Sequence, residues 1–203
     1  MRKFKYYIYL FIVKLQQNAN NYVRQYNFKN IATFDNTASI SASSNITNAQ
    51  NDKSKIVIGK NTVVHGSLLV FGFGGEIEIG DNSFIGPNSN IWSAKKIKIG
   101  SYVLVSHNVN VLDNISHPKN HIDRMKDWDK IRTIGLPPED EYDLKEQEII
   151  IEDNVWIGYN CSVSRGLTIG KGAIIGSNTI VTKDVPAFAI LVGNPAKIIG
   201  YTG

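Results

Sequence analysis

One cysteine, Cys161, occurs among the 203 residues. No disulfide can close within the chain, and no cysteine-based zinc site can form. So sparse a use of thiols points to a reducing compartment, the cytoplasm. Acid is missing from residues 1–29, which carry Arg2, Lys3, Lys5, Lys14, Arg24 and Lys29. Long hydrophobic runs are also missing. The mostly apolar stretch from Phe4 to Leu15 is too short to span a bilayer. It has the look of a signal-peptide core, but Gln16, Gln17, Asn18 and Asn20 make a poor cleavage region. Three readings of residues 1–30 stand: a helix packed on the domain or on a subunit neighbour, a peripheral membrane anchor through residues 1–17, and a secretory signal.

The chain has 42% hydrophobic residues, enough for a core, and 17 glycines, no collagen-like or disordered excess. The length suits one domain with short additions. The net charge is +4. Ten of the 18 acidic residues fall between Asp113 and Glu148, so the rest of the chain is more basic than the total suggests. A basic body suits an anionic ligand such as a nucleotide cofactor, or an anionic membrane face, and no nucleic-acid partner is expected.

A six-residue period organises the chain. Aliphatic residues recur as Ile58, Val64 and Val70, as Ile79, Ile85 and Ile91, and as Ile99, Val105 and Val111. They then run unbroken through Ile151, Ile157, Val163, Ile169, Ile175 and Val181, and Ile40 and Ile46 begin a degenerate earlier coil. The fourth hexad position is Asn or Gly at 61, 82, 88, 108, 154, 160, 166, 172 and 178. Those residues tolerate left-handed backbone angles. The fifth position is small or β-branched, as at Thr62, Ser83, Cys161 and Thr179. A short strand ending in a tight turn, repeated three times, closes a triangular coil of about 18 residues, and coils stack at about 4.8 Å. An α-helix does not match a period of six, and hairpins have no reason for this register. The expected fold is all-β, a parallel β-helix of five to six coils over residues 31–200, closed by a segment at 184–203. The repeat is broken by one long polar excursion over residues 113–148, and long loops on rigid scaffolds are where function concentrates.

The stretches "DNISHPKNH" at 113–121, "IIIEDNVWIGYNCSVSRGLTIGKGAIIGSNTIVTKDVP" at 149–186 and "VGNPAKII" at 192–199 resemble the hexapeptide-repeat acyltransferases with a left-handed parallel β-helix. The similarity covers about residues 56–200 and is strongest to the galactoside and maltose acetyltransferases and to the O-acetyltransferases of surface polysaccharides and sialic acids. The resemblance implies homotrimers with acetyl-CoA lying between subunits, and His117 as the catalytic base. It places Trp156, Thr182, Lys183, Asn194, Pro195 and Lys197 at the cofactor. Tyr159 and Ser177 border the cofactor groove, with residue types that depart from the galactoside branch. The long loop around Trp128 and Pro137–Pro138 departs from it too, which leaves the acceptor open.

Histidine titrates near working pH, so His117 can take the proton of an attacking hydroxyl and return it to the leaving thiolate. Asp113, four residues earlier, could orient the imidazole or bind the sugar, or be a solvated turn residue. Asn114, His121, Arg124 and Trp92 are candidate acceptor contacts, with Trp128 and Tyr142 beside them. Cys161 sits at the small inward hexad position, which favours a structural thiol and direct transfer in a ternary complex. His65, His107, His117 and His121 form no convincing metal set, so no metal is expected.

Three functions compete. One is O-acetylation of a saccharide in surface polysaccharide synthesis, in the cytoplasm or at the inner membrane face. The others are acetylation of a xenobiotic and a non-enzymatic β-helix scaffold. A serine acetyltransferase would carry a long helical domain before the coils. An amino-sugar N-acyltransferase with a nucleotide-binding domain would carry a Gly-rich βαβ unit, which residues 1–55 lack.

Overall fold

A computed structural model describes the backbone of residues 2–137 and 141–202 and, in the first helix, the side chains of residues 6–19, 23 and 27–31. Met1, Pro138 and Gly203 lie outside these residues, as do the side chains of Arg2, Lys3, Lys5 and Arg24, all of which the expectations above include. The chain opens with helix α1, Arg2–Ile31, and then winds into a parallel β-helix of the hexapeptide type with three sheets as its faces.

Face one stacks Thr33–Phe34, Ile56–Ile58, Ile77–Ile79, Ile97–Ile99, Ile149–Ile151 and Thr168–Ile169. Face two stacks Ser39–Ile40, Val63–Val64, Phe84–Ile85, Leu104–Val105, Trp156–Ile157 and Ile174–Ile175, then the antiparallel pair Ala189–Val192 and Lys197–Tyr201. Face three stacks Asn45–Asn48, Ser67–Val70, Asn90–Ser93, Asn110–Leu112, Ser162–Val163 and Ile180–Val181. Six coils therefore stand about 24 Å tall at strand spacing.

The hexad aliphatics form the core because each pairs in register with its equivalents above and below. One row is Ile58, Ile79, Ile99, Ile151 and Ile169, and another is Val64, Ile85, Val105, Ile157 and Ile175, all buried. The third row corrects the sequence reading at one place. Leu68, not Val70, lies in register with Ile91, and Val70 stacks on Ser93. The turn before it is short because Gly66 has no side chain; a Cβ there would come within 2.5 Å of the Ser89 carbonyl oxygen.

The nine fourth-position Asn and Gly residues all have positive φ, between 54° and 73°. Tyr102 occupies the same position with φ 58°. At the fifth position, small hydroxyls form a relay up the coil. Thr62 donates to the Gly80 carbonyl, Ser83 to that of Gly100 and Ser89 to that of Ser106, and each accepts an amide from the next coil. Cys161 fills the same slot, donating to the Gly176 carbonyl at 3.2 Å, and burial pushes its thiol pKa up.

Every insertion in the repeat emerges at one edge of the triangle, where face three passes to face one. Residues 49–55, 71–76, 94–96 and 113–148 all leave there. The excursion is not a loop throughout, because it contains helix α2, His121–Ile134. Asn120 caps its start, accepting from the Ile122 and Asp123 amides, and Gly135 ends it at φ 82°.

At the other end, α1 seals the open coil. Phe28 and Ala32 enter the core with Ile31 packed against it, and the side-chain NH2 of Asn48 donates to the Ile31 carbonyl. Solenoids need such a cap because a terminal coil otherwise exposes its core. Among the described residues, no helix is long and apolar enough to cross a membrane.

Candidate active site

The excursion is tied down where it begins. Asp113 is fully buried, and its oxygens accept from the Ser93 hydroxyl at 2.7 Å, the Ala94 amide at 2.8 Å, the Lys95 amide at 2.9 Å and the Asn114 side chain at 3.1 Å. Those amides belong to the insertion one coil below, where the turn leaves backbone donors without a strand partner. The two ends of the excursion are also joined, Ile115 N to Leu144 O and Gln147 N to Asp113 O.

Two expected roles are corrected by this geometry. Asp113 does not orient the imidazole and cannot bind a sugar, since its acceptor capacity is spent on the scaffold. Asn114 is buried, with its carbonyl taken by the Ser116 amide and its NH2 by Asp113, so it is a turn residue rather than an acceptor contact.

That turn presents His117. Ser116 has φ 63°, and the His117 amide closes back on the Ile115 carbonyl at 2.7 Å. Arg124 holds the following residues by donating to the carbonyls of Pro118 and Lys119, a structural use of a side chain expected at the acceptor. Helix α2 then brings Asp127 back to the imidazole, with Nδ1 of His117 and Oδ2 of Asp127 2.7 Å apart. The Asp127 side chain is 10% exposed and that of His117 45% exposed.

A carboxylate only accepts hydrogen bonds, so in the neutral ring the proton sits on Nδ1 and the Nε2 lone pair is left for another donor. Tyr142 lies in the same electrostatic surroundings. Burial, then the charges of Glu141, Asp123 and Asp127, push its phenol pKa up. His121 is exposed at the first position of α2, and Trp128 is exposed further along it.

Sequence reasoning missed Asp127, because only a helix places a residue ten positions on against His117. Asn120 and Gly135, a capping residue and a helix-ending glycine with 14 residues between them, were the available signal for that helix.

The residues expected at the cofactor lie elsewhere on the chain. Trp156 is 49% exposed on face two, in register between Leu104 and Ile174. Tyr159 stands at the edge between faces two and three, its ring stacked on His107 at 5.2 Å. Ser177 sits one coil higher at that edge, packed so closely that a Cβ on Gly158 would meet it at 2.7 Å. Thr182, Lys183, Asn194, Pro195 and Lys197 are exposed around the last coil. The peptide bond between Asn194 and Pro195 is cis.

Face three separates these groups from His117. Ser67, Asn90, Asn110 and Ser162 line its outward side in register, with the Asn90 NH2 donating to the Asn110 carbonyl at 2.9 Å. Trp92 is half-buried there, between Leu69 and Leu112, with its indole N–H buried and without an acceptor. A single chain thus does not bring the expected cofactor residues to His117. Among the described residues, no cluster of three or more His, Cys, Asp or Glu side chains could hold a metal ion.

Two family models match the chain. The one described as bacterial transferase hexapeptide (six repeats) matches residues 148–183, and the one described as hexapeptide repeat of succinyl-transferase matches residues 76–112. A Schizosaccharomyces pombe protein named as an acetyltransferase is 35% identical over 131 residues, 64% of this chain and 56% of that protein. The Escherichia coli galactoside O-acetyltransferase is 32% identical over 142 residues, 70% of this chain and 62% of that protein. The chain therefore spans less than two thirds of either relative. An Escherichia coli protein named as a lipopolysaccharide biosynthesis O-acetyl transferase is 32% identical over 151 residues, 74% of this chain and 73% of that protein.

Among solved structures, the N-acyltransferase AntD from Bacillus cereus, in complex with dTDP and 3-hydroxybutyryl-CoA, superposes with a TM-score of 0.69 at 19% identity, covering 88% of each chain. A maltose O-acetyltransferase from Clostridium difficile superposes at 0.54 and 22% identity, covering 89% of this chain and 75% of that one. At these identities the likeness is one of fold.

Proposed function

The chain belongs to the bacterial hexapeptide transferase family, and from that premise we propose that it transfers an acetyl group from acetyl-CoA to a saccharide hydroxyl, with His117 as general base. The observation that carries the reading is the 2.7 Å bond between His117 and Asp127. An imidazole held at Nδ1 by a carboxylate, exposed, and mounted on a tethered turn is a base in search of a proton. The saccharide, and a role in surface polysaccharide synthesis, are supported by the names of the relatives, which include a galactoside and a lipopolysaccharide O-acetyl transferase.

The acceptor oxygen attacks the thioester carbonyl carbon as Nε2 of His117 takes its proton. The C–S bond then breaks, and the imidazolium returns the proton to the leaving sulfur. The products are the O-acetyl ester and coenzyme A as its thiol. Asp127 keeps the ring in the tautomer that accepts at Nε2 and steadies the transient positive charge. Coenzyme A is to lie along Trp156, Tyr159 and Ser177, with Lys183 and Lys197 placed to pair with its phosphates and Thr182, Asn194 and Pro195 beside them.

The cofactor groups and His117 belong to opposite edges of face three. A side of six residues spans up to about 20 Å at strand rise. The reading therefore takes the site as shared: His117 from one protomer, the cofactor groups from its neighbour in a homotrimer. The exposed apolar row of Leu104 and Trp156 on face two supports an assembly that covers it.

The test is transfer of labelled acetyl from acetyl-CoA to a panel of saccharides. Activity is expected on at least one sugar, with His117→Ala slower by about a hundredfold or more. An unchanged rate in that variant removes His117 as base. Failure to bind coenzyme A at all returns the chain to the scaffold reading.

A further inference from the structure

Helix α1 does two separate things along its length. At its C-terminal end Phe28 is buried, and the contacts of the helix with the body run through the strands at Thr33–Phe34 and Asn45–Asn48 and the short turn at Lys53–Lys55. Among the described side chains of α1, Phe28 alone is buried. The described side chains of its first turns are mostly exposed. Tyr6, Tyr7, Ile8, Tyr9, Leu10, Phe11, Ile12 and Leu15 are all exposed, Tyr7 by 67% and Phe11 by 64%.

Residues 6–13 are apolar or aromatic without a break, so at 100° per residue they fill the whole circumference rather than one stripe. An apolar block that surrounds a helix is covered from all sides in a working protein, and this one is not covered by its own chain.

Charge decides between the candidate covers. Residues 1–29 carry six basic side chains and no acid. Packing copies of α1 together would gather those cations with no carboxylate on the helix to offset them. A helix–helix contact would also bury one side and leave the rest in water. A lipid surface with anionic headgroups meets both needs at once: it surrounds the apolar block and complements the cations. Apolar insertion and a basic cluster are the two signals that together make a lasting peripheral anchor. Tyrosines at the headgroup level and a lysine at the end of the block, as Lys14 is here, are the side chains that suit this depth.

We propose that the exposed N-terminal turns of α1 dock on an anionic membrane surface, holding the β-helix at the membrane through the same helix that caps it. The proposal is independent of the acyl-transfer reading.

The experiment is co-sedimentation of the full chain with phosphatidylcholine vesicles, plain or containing about one-third phosphatidylglycerol. The expected result is at least about tenfold tighter binding to the anionic vesicles, weakened by high salt. The double variant Leu10→Glu/Phe11→Glu is expected to lose that binding. Lys14→Glu is expected to weaken it while leaving the apolar block intact.

Equal binding to both vesicles, or binding that the double variant leaves unchanged, overturns the proposal. So does an absence of vesicle binding together with a fall in oligomer size of the double variant in sedimentation velocity, which would assign the block to a second copy. Coenzyme A titration and acetyl transfer to a soluble sugar are measured on the same variants. These are expected to be unchanged, so a failed acyltransferase reading and a failed anchor are seen separately.

Discussion

Asp113 and Asp127 are both carboxylates of the excursion, and their surroundings set them to different tasks. Asp113 is fully buried and accepts four hydrogen bonds that close an insertion in the neighbouring coil. Replacing it by Asn turns an acceptor into a donor against backbone amides. Asp113→Asn is expected to lower stability by about 2 kcal/mol, read from urea unfolding. Asp127 pairs instead with the imidazole of His117. Asp127→Asn is expected to keep stability within about 1 kcal/mol while kcat falls by about tenfold or more with KM little changed. A loss of stability that matches the loss of activity would make Asp127 a folding residue only. The motif around residues 113–121 singled out His117, but proximity in sequence favoured Asp113 as its partner, where the fold supplies Asp127.

At the scale of the element, the hexad turn is the unit. Its fourth residue must adopt a left-handed backbone, which Asn and Gly accept at little cost and other L-residues at about 1 kcal/mol or more. Tyr102 breaks that rule at φ 58° with an exposed ring. Tyr102→Asn is therefore expected to raise stability by about 0.5–1 kcal/mol, measured by thermal or urea unfolding. A decrease would show that the ring is packed by a neighbouring subunit, which would compensate the strain. The hexad turns were legible in the sequence because each depends on one local backbone angle. Helix α2 was not, because its apolar residues Ile122, Met125, Trp128, Ile131 and Ile134 fall every third position and drift around the helix without making a buried stripe.

At the scale of the whole molecule, the triangle assigns work to its edges. Insertions leave at the edge from face three to face one, where His117 stands, while Tyr159 and Ser177 mark the edge from face two to face three. A site shared between copies makes a quantitative prediction. His117→Ala and Trp156→Ala are each expected to be inactive as homotrimers. Co-assembled in equal amounts, they are expected to recover about a quarter of wild-type activity, because each mixed trimer rebuilds one intact site. No recovery in verified mixed trimers would place the whole site within one chain.

The sequence by itself determined the coil, its inward rows, its turns, the interruption that carries His117 and the character of residues 1–29. All of these are local rules repeated at a fixed spacing, so they can be read one hexad at a time. The tertiary structure alone decided which carboxylate meets the imidazole, which row Leu68 joins, and that every insertion shares one edge. Those depend on where a capped helix and three stacked faces bring distant residues together, and no spacing along the chain encodes that distance.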